Sequence, residues 1–160
     1  MKKAKITEIF SSIQGEGLHI GEEQVFVRFY GCNLSCCFCD EKEKVLFSEY
    51  TPQGLIEEVI KEGKNTISLT GGEPLLQVDF LKEILPVLKE KGKEIYLETN
   101  GMLVNNLIEV LDRIDIVSMD KTPVFYWYRA FLARTFFIFK RSSQKKSVCK
   151  SGCNGQDPFV

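Results

Sequence analysis

A single histidine, a single tryptophan and five prolines are found in the 160 residues. With only His19 available, a metal centre built on several imidazoles is excluded, and a zinc site among the cysteines would have one nitrogen ligand to draw on. Surplus positive charge is missing too. Lys and Arg number 21 against 22 Asp and Glu, a net charge of −1, so no nucleic-acid partner is expected. No apolar run reaches the roughly 20 residues that cross a bilayer; the longest, residues 124–139, is broken by Arg129 and Arg134. Met1-Lys2-Lys3 is followed by a short strand-like run at residues 6–10 in place of the apolar core of a secretory leader. The expected location is the cytoplasm, with no membrane attachment.

What is present suffices for one domain: 44% of the residues are hydrophobic, and a chain of this length can bury a real core. The average conceals a break after Asp120. Residues 1–120 carry 13 basic and 21 acidic side chains, a net of −8, whereas residues 121–160 carry 8 and 1, a net of +7. Nine of the 18 aromatic residues also fall in that last quarter. The chain therefore divides into a core, 1–120, and an aberrant tail, 121–160.

Within the core, apolar periodicity alternates between strand and helix. Residues 25–29 read as a strand ending at Gly31. Thr51-Pro52 offers a cap and a first-turn proline for a helix carried by Leu55, Ile56, Val59 and Ile60. Strands at 66–70, 94–98 and 114–118 alternate with helices marked by Phe80 to Leu88 and by residues 103–111. Such alternation with short connections predicts parallel strands joined by right-handed crossovers, in either a β/α barrel or an open α/β sheet. In both, sites gather at the C-terminal ends of the strands. Here those ends carry Arg28 and the cysteines, Thr70-Gly71-Gly72-Glu73, Glu98-Thr99-Asn100-Gly101, and Ser118-Met119-Asp120.

Four of the six cysteines lie within eight residues, and in a reducing compartment they read as metal ligands before disulfides. Cys32, Cys36 and Cys39 have the spacing C-x3-C-x2-C. Three thiolates can hold three irons of a [4Fe–4S] cube and leave the fourth iron open to a ligand. Cys37, directly after Cys36, is expected to point away. A zinc site is the competing reading, with His19 as its completing ligand. Gly71 and Gly72 let backbone approach closely beside a cofactor or merely turn the chain, and Glu73 is suited to accept from an ammonium group.

The nine residues from Cys32 to Asp40 (CNLSCCFCD), taken with Thr70-Gly71-Gly72-Glu73-Pro74, resemble the radical S-adenosylmethionine (SAM) superfamily. That resemblance implies a partial (β/α) barrel, here incomplete at its C-terminal end, with a [4Fe–4S] cluster on Cys32, Cys36 and Cys39. It also implies SAM against Phe38, Asp40, Gly72, Glu73, Ser118, Met119 and Asp120. Ser12-Ile13-Gln14-Gly15-Glu16-Gly17, Arg28, and Leu97-Glu98-Thr99-Asn100-Gly101 are similar to the 7-carboxy-7-deazaguanine synthase family. The resemblance implies a lyase-type ring contraction of 6-carboxy-5,6,7,8-tetrahydropterin on the route to queuosine. Substrate is then expected at Ile13, Gln14, Gly15, Glu16, Arg28 and Thr70. The amide and carboxylate of Gln14 and Glu16 suit the donor and acceptor edge of a pterin, and Arg28 suits its carboxylate. For Arg28 the bland alternative is a surface ion pair. The family also implies Mg²⁺, an electron donor such as flavodoxin or ferredoxin, and a homodimer. Its magnesium ligand is a Thr or Ser after the Cys-Asp pair; Glu41 stands there instead, a longer but still hard oxygen ligand. Rival readings are a glycyl-radical activase with the same cysteine spacing, or a non-catalytic metal-binding remnant.

The tail has the character of a shifted reading frame. One permitted coding of residues 121–127, read with two bases restored, gives IKLPSSTG, the type of stretch the family has after its fourth strand. The same offset over residues 147–155 gives VFVKVVVTG, a strand-like run. Cys149 and Cys153 are then by-products of translation and not ligands.

Overall fold

The computed structural model describes residues 2–36, 39 and 46–119. Cys37, Phe38, Asp40, Glu41, Asp120 and the tail with Cys149 and Cys153 lie outside the described residues.

Among the described residues six strands form one sheet: β1 (Ala4–Ile13), β2 (Glu23–Phe29), β3 (Ser48–Tyr50), β4 (Thr66–Gly71), β5 (Glu94–Thr99) and β6 (Ile116–Met119), in the spatial order β3-β1-β2-β4-β5-β6. Helices α1 (Pro52–Lys61), α2 (Val78–Glu90) and α3 (Val104–Val110) lie between the later strands. The four strands expected to be parallel are so, in the order β2-β4-β5-β6. Two features depart from that scheme. β1 runs antiparallel to β2 and is longer than the 6–10 run suggests, and β3 is a three-residue antiparallel strand beside it that no periodicity announces.

Local chemistry sets the helix limits. Thr51 caps α1 by accepting from Gly54 N at 3.2 Å, with Pro52 in the first turn where its missing N–H costs nothing. Gly63, at φ +72, closes that connection. α3 gives way after Val110 to a 3-10 turn, Leu111–Arg113.

All three helices pack on one face of the sheet. Leu55, Ile56 and Val59 of α1, Phe80, Leu81, Ile84, Leu85 and Leu88 of α2, and Leu107 and Val110 of α3 form one buried cluster with Val25, Val27, Phe29, Ile67, Leu69, Ile95, Leu97, Val117 and Met119. Right-handed crossovers that always step the same way along the sheet put every helix on the same side. This is the arrangement of a barrel segment and not of a doubly wound sheet with helices on both faces. Each fully buried Leu or Ile contributes about 1.5–3 kcal/mol, so this outer face carries the fold. Strand side chains alternate, so the opposite face presents Gln24, Phe26 and Arg28 of β2, Ser68 and Thr70 of β4, Tyr96 and Glu98 of β5, and Ser118 of β6. β1 joins it with Phe10 and Ser12, paired with Phe26 and Gln24.

Candidate functional site

The inner face holds a cavity of about 380 Å³ lined by Phe10, Ser12, residues 13–16, Phe26, Arg28, Thr70, Gly71 and Glu98. Its rim exists because the chain after β1 does not simply turn back. Gln14 N donates to Glu22 O at 2.8 Å and Gly21 N donates to Gln14 O at 2.9 Å, closing residues 14–22 into a loop. That loop folds over the sheet until Gln14 reaches β5. Gln14 is buried, its Nε2 donating to Glu98 Oε1 at 3.2 Å while its Oε1 accepts from Glu16 N at 3.2 Å. The second oxygen of Glu98 accepts from Thr70 Oγ1 at 2.8 Å. One carboxylate thus ties together the loop, β4 and β5.

All six residues expected to meet substrate, Ile13, Gln14, Gly15, Glu16, Arg28 and Thr70, line this one cavity. Arg28 spreads its guanidinium over the Phe10 ring at 5.3 Å, and Phe10 stacks on Phe26 at 5.4 Å. Arg28 Nε also lies 3.5 Å from Glu8 Oε2 of the neighbouring strand, so the arginine both faces the cavity and pairs across the sheet.

Beneath the loop, Tyr96 is buried, with the His19 ring edge-on at 5.7 Å. Burial pushes its hydroxyl pKa above the usual 10.0, with the charges of Glu98 and Glu22 adding to the rise and a hydrogen bond with Ser118 opposing it. The side chains of Gln24 and Ser68, deeper on the same face, are fully buried and make no hydrogen bond among the described residues, an arrangement suited to internal water.

The cysteine loop leaves β2 at Gly31 and rests on the end of β4. A Cβ on Gly72 would stand 2.1 Å from Gly31 O, and one on Gly71, at φ +111, would stand 2.5 Å from the backbone of Phe29. Gly72 N donates to Phe29 O at 2.9 Å and Glu73 N to Gly31 O at 2.8 Å. The two glycines therefore let the cysteine loop lie flat against the strand end. Glu73, expected at the SAM ammonium, has no exposure; its carboxylate accepts from Leu75 N, from Thr99 Oγ1 at 2.9 and 3.0 Å, and from Asn100 N at 2.8 Å.

None of Cys32, Cys36 and Cys39 is in a disulfide. Cys39 N donates to Cys36 O at 3.3 Å in a tight turn, and Cys32 Sγ accepts from Leu34 N at 3.4 Å. Among the described residues no three Cys, His, Asp or Glu side chains converge as a set for a metal ion; the loop that joins the cysteines lies partly outside them. The donor chemistry itself fits an iron–sulfur cluster: three soft thiols on one loop, the first already receiving an N–H. His19, the one nitrogen available for a zinc site, is engaged with Glu22 Oε2 at 2.8 Å. Ser118 and Met119 are buried at the end of β6, Met119 beneath Gly101, whose Cβ would stand 2.8 Å from its sulfur.

Two groups escaped the reading of residue types. Glu98 was noted at a strand end, yet nothing in its spacing told that it joins Gln14 to Thr70. Asn100 lay in the same stretch without an assigned task. Its amide reaches the cysteine loop, which sequence separation hides.

A barrel segment with its cysteine loop on the strand ends and a polar cavity beside it defines a class, and the comparisons agree. The chain matches the family model described as Radical SAM superfamily over residues 26–120 and belongs to that superfamily. It is 44% identical over 126 residues to the 7-carboxy-7-deazaguanine synthase of Methanothermobacter thermautotrophicus, covering 75% of this chain and 50% of that one. To the synthase of Bacteroides thetaiotaomicron it is 41% identical over 132 residues, covering 76% and 70%. Within the superfamily the chain belongs to the 7-carboxy-7-deazaguanine synthase family. It spans about half the length of several relatives that it matches. The crystal structure of QueE from Escherichia coli shares the fold at a TM-score of 0.61 and 19% identity, over 86% of this chain and 81% of that one.

Proposed function

We propose that this chain carries the cofactor and substrate half of a radical SAM lyase that converts 6-carboxy-5,6,7,8-tetrahydropterin to 7-carboxy-7-deazaguanine. The observation that supports it most is the convergence of Gln14, Glu16, Arg28 and Thr70 on one cavity beside the cysteine loop. A reduced [4Fe–4S] cluster on Cys32, Cys36 and Cys39 would supply a 5′-deoxyadenosyl radical from SAM. The protein's own part is to bind, orient and exclude water. Arg28 would pair with the substrate carboxylate from its seat on Phe10. Glu98, already sharing its oxygens between Gln14 and Thr70, fixes the amide of Gln14 so that the donor and acceptor edge of a pterin meets a set pattern.

Phe38, Asp40, Gly72, Glu73, Ser118, Met119 and Asp120 are proposed to lie about SAM, with Mg²⁺ at Glu41. A cytoplasmic homodimer reduced by a flavodoxin or ferredoxin completes the reading. Among the described residues no helix is long and apolar enough to cross a membrane. We further propose that residues 121–160 are translated out of frame. Resequencing settles that: codons after Asp120 that do not give IKLPSSTG at the two-base offset overturn it.

The functional test is anaerobic reconstitution with iron and sulfide, followed by SAM, a reductant and the tetrahydropterin. Formation of 7-carboxy-7-deazaguanine with 5′-deoxyadenosine is expected by mass spectrometry. SAM cleavage that ignores the pterin and instead places a radical on a glycyl partner would replace this reading with an activase.

A further inference from the structure

Among the described residues the cysteine loop is also reached by a side chain that no expectation assigned, Asn100. It follows β5, and its backbone N–H is held by the buried Glu73 at 2.8 Å. Its Oδ1 accepts from Met102 N at 3.0 Å, which fixes the orientation of the amide and turns the NH2 group the other way. That NH2 donates to Asn33 Oδ1 at 2.9 Å and reaches Cys32 Sγ at 3.7 Å. Cys32 Sγ receives a second N–H, from Leu34, at 3.4 Å.

We infer that Asn100 is a positioning residue for the iron–sulfur cluster, its side-chain amide donating to the Cys32 thiolate and thereby raising the cluster's reduction potential. Reduction adds negative charge to the cluster and its sulfurs, and an N–H directed at a ligand sulfur stabilises that charge more than it stabilises the oxidised state. The easier the cluster is to reduce, the less driving force is left for reducing a sulfonium. Asn100 would therefore set a compromise between accepting an electron from the donor and passing it on. The Met102 N–H and the Glu73 carboxylate serve this role by preventing the amide from flipping or drifting. Cys32 is thus the ligand whose sulfur the end of β5 reaches, and the Glu73 of the Gly-Gly-Glu-Pro stretch acts on the cluster through Asn100.

The inference rests on the cluster reading of the cysteine loop but not on the substrate. A chain that fails with the pterin can still support it. The experiment is an EPR-monitored redox titration of the anaerobically reconstituted protein without SAM or substrate, with resonance Raman of the Fe–S stretches. It compares the parent with Asn100→Asp, Asn100→Ala and Asn33→Ala. Asn100→Asp keeps the acceptor for Met102 N and replaces the donor by an anion. The expected result is a potential lowered in Asn100→Ala and lowered further in Asn100→Asp, with the bridging and terminal Fe–S stretches shifted up. Asn33→Ala, which frees the amide for the sulfur alone, should sit at or above the parent. Unchanged potentials in both Asn100 variants overturn the inference, as does an equal fall in Asn33→Ala. If both Asn100 variants stay folded by circular dichroism but hold no cluster, Asn100 supports the loop and does not tune the potential, which overturns it as well.

Discussion

The two faces of the parallel sheet are built from the same strands and differ in almost everything else. Leu69 and Thr70 are neighbours on β4, as are Leu97 and Glu98 on β5, yet the first of each pair is fully buried among helices and the second lines the cavity. The outer face is apolar throughout, aliphatic but for Phe29 and Phe80, and could be exchanged for another apolar set of similar volume at modest cost. The inner face is aromatic, amide, hydroxyl and charge. Such groups disfavour burial unless partnered, so their presence there fits the proposed binding of a polar substrate. The comparison teaches that in this chain stability and chemistry are separated by a single step of the pleat.

Substituting the neighbours separately breaks that comparison or sharpens it. Leu69→Ala removes a side chain with no exposure and is expected to cost about 2–5 kcal/mol in chemical denaturation. Thr70→Val keeps the shape, loses the hydroxyl that donates to Glu98, and is expected to change stability by about 1 kcal/mol or less while product formation falls about tenfold. Equal loss of stability in the two would show that the faces are not separate.

Gly72→Ala comes next in size. Its Cβ would stand 2.1 Å from Gly31 O, too close for any side-chain adjustment to relieve, so the cysteine loop must lift from β4. Iron bound per chain after reconstitution should fall by more than half while the melting temperature drops only a few degrees, on the order of 1–2 kcal/mol. Retention of full iron would mean that the loop is held elsewhere.

Arg28→Met tests the inner face without disturbing the loop. Its stem remains to cover Phe10, and the exposed Glu8 loses a pairing at 3.5 Å that is worth little near the surface. A charged hydrogen bond to a substrate carboxylate contributes about 1.5–3 kcal/mol, so the tetrahydropterin concentration for half-maximal rate should rise by roughly 10–100-fold. Cleavage of SAM in the absence of substrate should stay at the parent level. An unchanged concentration dependence would assign Arg28 to its cross-strand pair alone.

Much of this was legible in residue order. The strand and helix alternation, the parallel pairing of β2, β4, β5 and β6, and the placing of polar groups at their ends follow from periodicity and from the handedness of crossovers. Periodicity alone left a barrel segment and an open sheet both standing; the family resemblance implied the barrel segment, and the helices sharing one face agree with it. β3 stayed hidden because three residues, Ser48–Tyr50, are too few for alternation to register. The loop at 14–22 was readable as glycine-rich and polar, but nothing local says that it folds across the sheet. That requires Glu98, 84 positions from Gln14. The same is true of Glu73. Its carboxylate in the Gly-Gly-Glu-Pro stretch suggested a contact with an ammonium group, whereas its hydrogen bonds to Thr99 and Asn100 depend on register between β4 and β5. What a motif does by pairing across the sheet cannot be read from the motif.

The smallest effect concerns Tyr96, an inner-face residue that is buried like an outer one. Burial raises its hydroxyl pKa above 10.0, Ser118 opposing the rise and the charges of Glu98 and Glu22 adding to it. The folded state therefore keeps a proton that the unfolded state gives up, and stability falls as pH climbs from about 10 through the folded pKa. Below that window the tyrosine is neutral in both states and adds no pH dependence. Tyr96→Phe should lose about 1 kcal/mol or less at neutral pH with the hydroxyl. The variant should then close the gap with the parent above pH 10, because the phenyl ring has nothing to ionise. The parent's four other tyrosines contribute equally to both proteins and cancel in the difference. If the two stability curves stay parallel from pH 8 to 11, Tyr96 is ionised as readily inside as out, and the layer beneath the loop is wetter than its burial implies.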